Sequence, residues 1–121
     1  MMFLVLEDEP FISMDLSMAF EDAGHEAATA ATCDEALDVL AINQVAGAVL
    51  DVNLGGGETC ERAAVELHRR GLPFVLHTGD LNRVGEFLRN FSAPIIEKPV
   101  PSDSVVARLL DLCSEDVKEN A

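Results

Sequence analysis

The chain has 121 residues, 49% hydrophobic, and a formal net charge of −14. These values predict one domain with its own core and argue against a nucleic-acid surface, because phosphate backbones would be repelled. No apolar run reaches the roughly 18 residues of a membrane span, and the N-terminus MMFLVLEDEP meets acids with no basic region, unlike a signal peptide. Cys33, Cys60 and Cys113 are odd in number and show no paired spacing, which reads as reduced thiols of a cytoplasmic protein.

Short apolar runs alternate with amphipathic stretches along the chain. FLVL (3–6) reads as a buried strand. A helix follows Pro10, a residue tolerated in a first turn, with Ile12, Leu16, Ala19, Phe20 and Ala23 inward and Gly24 as its stop. EAATA (26–30) is a weak second strand, and CDEALDVLA a helix with Ala36, Leu37 and Leu40 inward. AGAVLDV (46–52) is the third strand, and Glu58 to Arg70 a helix ended by Gly71. PFVLH (73–77) is the fourth strand, with Pro73 at its first position. Asn82 to Phe91 reads as a short helix through Val84, Phe87 and Leu88, and APIIE (93–97) as the fifth strand. Ser102 or Asp103 should cap a last helix through Val105, Val106, Leu109, Leu110 and Cys113, with residues 115–121 frayed. Five short strands in strict alternation with five helices predict an α/β fold, a parallel sheet covered on both faces.

The polar residues then fall at strand exits. Glu7, Asp8 and Glu9 close the first strand and Asp51 the third, while Thr78 closes the fourth and Lys98 follows Glu97 at the fifth. Parallel strands bring these exits to one edge, where open α/β sheets bind ligands. Two carboxylates about 4 Å apart repel by about 4 kcal/mol at an effective dielectric near 20. A hard cation such as Mg²⁺ relieves this, and carboxylate and carbonyl oxygens suit it. Glu7, Asp8, Asp51 and the main-chain carbonyl of Asn53 are the candidate ligands. Asp51 is the candidate nucleophile for a phosphoryl group, with Lys98 and Thr78 contacting phosphoryl oxygens by charge and hydroxyl.

Over essentially its whole length the chain resembles a response-regulator receiver domain. LVLEDEP resembles the family's first-strand acidic pair, VLDVNL its phosphoacceptor strand, HTG its hydroxyl position and EKP its lysine. The resemblance implies a flavodoxin-like, doubly wound sheet of order 2-1-3-4-5 and a cis bond at Lys98–Pro99. It implies Mg²⁺-dependent phosphorylation of Asp51 by a histidine kinase or histidine phosphotransfer protein. The output would be a downstream protein target or onward relay, without catalysis of its own and without nucleic acid or membrane. Glu7 stands in place of the usual aspartate, Gly55 in place of a loop proline, and Ile95 where many receivers carry Tyr or Phe. PFVLHTGD is similar to a branch of single-domain receivers whose fourth strand ends P-F-x-F-A-T-G, although Leu76 and His77 depart from it. The alternatives are a pseudo-receiver that binds partners without phosphoryl turnover, and a haloacid-dehalogenase-type phosphatase, whose motif order is the reverse.

Other residues carry plainer expectations. Glu9 reads as a solvated loop acid, His25 and His68 as surface residues, and His77 as a partly buried structural histidine. In the family, positions corresponding to Asn53 and Asp80 influence how fast the phosphoryl group hydrolyses. Phe11, Met14 and Met18 form a second stripe on the first helix, read as core packing or else as a docking face. The three glycines 55–57 match neither G-x-G-x-x-G nor a Walker loop and predict a mobile rim rather than a phosphate cradle.

Overall fold

The computed structural model describes residues 1–120, with side chains described through Ser114. The expected fraying of 115–121 lies outside the fully described residues. Five parallel strands, β1 (Met2–Leu6), β2 (Glu26–Ala30), β3 (Ala48–Asp51), β4 (Phe74–Thr78) and β5 (Ile95–Glu97), form one sheet of order β2-β1-β3-β4-β5. The helices are α1 (Pro10–Asp22), α2 (Cys33–Ile42), α3 (Glu61–Arg69), α4 (Glu86–Arg89) and α5 (Ser102–Asn120). This is the flavodoxin-like arrangement, with the order reversing between β1 and β3.

Alternation along each strand divides the core into two layers. Leu4, Leu6, Leu50 and Leu76 pack with residues of α2, α3 and α4. Phe3, Val5, Val49 and Val75 pack with Leu16 and Phe20 of α1 and Val105, Val106 and Leu109 of α5. Phe3 and Phe20 stack at 4.8 Å between ring centroids. Both faces are covered, so the central strands read as unbroken apolar runs.

Several boundaries differ from expectation. Gly24 and Gly71 do stop their helices, each at positive φ. The third helix begins at Glu61 rather than Glu58, because Gly55–Gly57 form a separate 3-10 turn and Asn53 pairs with Thr59. The expected helix 82–91 is broken: Leu81–Arg83 form a 3-10 turn, and Gly85 at φ 82° resets the chain before α4. That reset leaves Val84 and Leu88 buried but turns Phe87 outward. Helix α5 starts at Ser102, with the Pro101 carbonyl accepting from Ser104 and Val105 N–H, so neither Ser102 nor Asp103 precedes it as a cap. Ala23 caps the C-terminal end of α1 and is exposed rather than inward. None of the described helices is long and apolar enough to cross a membrane.

Candidate functional site

Parallel pairing places the ends of β1, β3, β4 and β5 on one edge. Glu7 and Asp51 are buried there, and Asp8 is exposed. One carboxylate oxygen from each of these three lies within 4.8 Å of the others. Lys98 follows β5, held by its N–H donating to the Thr78 carbonyl at 2.7 Å, and its Lys98–Pro99 bond is cis. Its ammonium donates to Glu7 Oε1 at 2.9 Å and stands 3.4 Å from Asp51 Oδ1.

Three carboxylates and one ammonium leave a formal charge of −2 if all are ionised. Burial first, and the Glu7 carboxylate next, push the Asp51 carboxyl up to about 8, while Lys98 pulls it down. Burial works against the charge of Lys98, but its hydrogen bond to Glu7 and the charge of Asp51 outweigh this and raise it. Among the described residues, Glu7 Oε2 is buried without a hydrogen-bond partner. An orphaned buried carboxylate oxygen inside a −2 cluster fits a divalent cation with oxygen ligands.

Thr78 is fully buried on the opposite face of β4 from His77. Its hydroxyl is turned into the following loop: Oγ1 accepts from Asp80 N–H and donates to the Asp80 carbonyl, both at 3.1 Å. Asn53 follows Asp51 by two residues and is half-buried. Gly55 lies beside Asp8: a Cβ there would meet Asp8 Oδ2 at 3.5 Å. Ile95 is half-buried against the α2–α3–α4 layer.

Other residues depart from the sequence reading. Glu9 is the N-cap of α1, its Oε2 accepting from Ile12 N–H at 2.9 Å, a role that the run of three acids hid. His25 is half-buried, edge-on to Phe3, and not a free surface residue; His68 is exposed, with its ring against Phe91. His77 is buried, and burial followed by the Lys98 charge presses it down to about 4. The core-packing reading of Phe11, Met14 and Met18 is wrong: they are 73%, 52% and 52% exposed, because Leu16 and Phe20 already fill the contact of α1 with the sheet.

No family model and no curated protein matches the chain. Solved structures do. A response regulator receiver domain protein from Methanospirillum hungatei JF-1 is 25% identical, with TM-score 0.84 over 98% of this chain and 97% of that one. SdrG from Sphingomonas melonis Fr1 is 34% identical, with TM-score 0.75 over 90% of this chain and 95% of that one. The chain belongs to the response-regulator receiver family. A more distant response regulator from Burkholderia pseudomallei, 22% identical with TM-score 0.79 over 99% of this chain and 72% of that one, carries a phosphorylated aspartic acid, a calcium ion and citrate.

Proposed function

We propose that this receiver accepts a phosphoryl group from a phosphohistidine onto Asp51, in a Mg²⁺-dependent reaction, and signals by protein contacts rather than by catalysis of its own. The observation that carries this reading is the single ammonium of Lys98 shared between Glu7 and Asp51 inside the acidic cluster. Glu7, Asp8, Asp51 and the Asn53 carbonyl would hold the cation. When bound, Mg²⁺ supplies the charge neutralisation that leaves Asp51 ionised beside Glu7 and offsets the charge of the incoming phosphoryl oxygens.

The chain's own residues do the rest. An Asp51 oxygen forms the new O–P bond while the N–P bond of phosphohistidine breaks. The imidazole leaves with that electron pair and takes up a proton. Lys98, held above its ordinary pKa, stays charged next to a phosphoryl oxygen. Thr78, which now bonds Asp80, has a hydroxyl to offer another. Phe11, Met14 and Met18 expose an apolar stripe on α1, whose Met14 lines the same groove as Asp8, suited to a helical partner carrying the histidine. The buried thiols of Cys33 and Cys60 suit a cytoplasmic setting.

The test is incubation with acetyl phosphate and Mg²⁺, read by intact mass. A gain of one phosphate on the wild type, base-labile and absent from Asp51→Asn, is the expected result. No adduct would favour a pseudo-receiver, and repeated turnover of small phosphate esters a phosphatase.

A further inference from the structure

The loop between β4 and α4 has an unusual double attachment. The turn Leu81–Arg83, with Asp80 before it and Val84 after it, lies between Gly79 and Gly85. Its Asp80 carbonyl accepts from Arg83 N–H at 3.1 Å, and its Leu81 carbonyl from Val84 N–H at 3.4 Å. Each of those carbonyls also takes one side-chain donor from outside the turn. The Thr78 hydroxyl donates to Asp80 O, and Arg89 Nη2 donates to Leu81 O at 2.6 Å from the far side, on α4. Asp80 Oδ1 closes the turn by accepting from Asn82 N–H at 3.0 Å.

A hydroxyl has one hydrogen to give. The Thr78 hydrogen cannot serve the Asp80 carbonyl and a phosphoryl oxygen on Asp51 together. Capture by phosphate therefore removes one of these two side-chain donors to the turn's carbonyls, leaving the Asp80 N–H bond to Thr78 Oγ1 as the remaining tie to Thr78. Val84 and Leu88 are buried and anchor the segment, whereas Leu81 and Phe87 are 39% and 49% exposed on either side of Gly85, with Phe87 edge-on to Phe91. The described residues include no tyrosine, and Ile95 offers no ring to carry a signal along β5.

We propose that Arg89 is a positioning residue for the Thr78 hydroxyl, acting through the turn Asp80–Val84. With Arg89 on Leu81 O, the turn is held in the register that keeps Thr78 bonded to Asp80. With Thr78 drawn to phosphate, the turn loosens, the Arg89 bond weakens, and Leu81 and Phe87 are presented differently. The link from phosphate to Thr78 rests on the receiver reading above; the link between Thr78 and Arg89 does not.

The experiment is a double-variant cycle in amide hydrogen exchange on the whole chain, using Thr78→Val, Arg89→Gln and the pair. The readouts are the Arg83 and Val84 amides. Arg89→Gln is expected to speed exchange roughly fivefold at both amides, the scale of one hydrogen bond, and Thr78→Val by at least as much, because it removes both the donor to Asp80 O and the acceptor of Asp80 N–H. The pair should give less than the product of the two, and Arg89→Lys should restore slow exchange. Substitutions that each affect only the nearer amide, or that multiply independently, would overturn the proposal. With acetyl phosphate and Mg²⁺, the wild type should gain one phosphate and exchange faster at both amides. Arg89→Gln should gain the same mass with a smaller further change, since its turn is already released; an equal change would count against Arg89. Absence of a mass gain in the wild type would refute the phosphoacceptor reading alone, because the exchange cycle decides Arg89 without phosphate.

Discussion

Lys98 and Glu7 stand 91 residues apart in sequence and 2.9 Å apart in the fold. Glu7 has only 1% of its side chain exposed, and Lys98 contributes the positive charge in contact with both Glu7 and Asp51. Lys98→Met would leave two buried carboxylates facing each other. Breaking a buried pair on one side costs about 3 kcal/mol, so a large fall in Tm is expected in metal-free buffer. Mg²⁺ should recover part of it by taking over the neutralising role. Glu7→Gln should do the opposite, removing repulsion from Asp51, so its metal-free Tm holds or rises while its response to Mg²⁺ shrinks. Thermal unfolding with chelator and with Mg²⁺ reads both.

The same cluster sets a pH dependence in metal-free protein. Asp51 is raised from 3.8 to about 8 by burial and then by Glu7, so the folded state holds a proton that the unfolded state has lost. Stability from this group is present below 3.8 and is lost as pH rises toward 8. His77 has the reverse sign: lowered by burial from 6.5 to about 4, it contributes stability above 6.5 that is lost as pH falls toward 4. The two oppose each other between about 4 and 6.5, and only the Asp51 slope remains between 6.5 and 8. Denaturant unfolding in chelator should therefore show stability falling from pH 6.5 to 8, by at most about 1.4 kcal/mol per unit. Asp51→Asn should abolish that fall. A fall of equal size in Asp51→Asn would assign the slope elsewhere.

Much of this site was legible because strand exits are easy to read. Each apolar run ends where a polar residue interrupts it, and parallel topology brings those ends together, so the meeting of Glu7, Asp8, Asp51 and Lys98 could be read from the sequence, whereas the turn of the Thr78 hydroxyl toward Asp80 could not. Interactions across the turns were not legible. The break at Gly85 lay inside a pattern, Val84, Phe87 and Leu88, that fits a continuous helix equally well; only the positive φ turned Phe87 outward. Glu9 in a run of acids carries no sign that it caps α1. The stripe Phe11, Met14 and Met18 has helical spacing whichever side faces the sheet, and the packing of Leu16 and Phe20 decided it.

That exposed stripe separates two kinds of phosphate donor. Met14 and Met18 are each 52% exposed, so changing both to Ala should shift stability by no more than about 0.5 kcal/mol. Acetyl phosphate needs no docking face, and its reaction with the double variant should run at the wild-type rate. A phosphohistidine protein that seats on α1 should transfer more slowly, by roughly tenfold if each methionine contributes about 0.7 kcal/mol of contact. Equal slowing with both donors would place the effect in the acidic cluster instead of on a docking surface.

The buried thiols give a local measure of folding near the site. Cys60 sits between β3 and α3 with no exposed surface, and burial, reinforced by the charges of Cys33 and Asp51, pushes its thiol up to about 12. Cys33 is also raised, chiefly by burial, while its Sγ donates to the Thr59 carbonyl at 3.2 Å. Cys113 on α5 is half-buried. Thiolate is the reactive form, and at pH 8 a group near 12 is ionised in about one molecule in ten thousand. Alkylation of native protein should therefore mark Cys113 first, with Cys33 and Cys60 reacting only at the rate of local opening. Mass mapping at increasing urea should show the latter two appearing together as the β3–α3 region opens. Labelling of Cys60 ahead of Cys113 in the absence of urea would mean that the loop carrying the three glycines opens to solvent well below global unfolding.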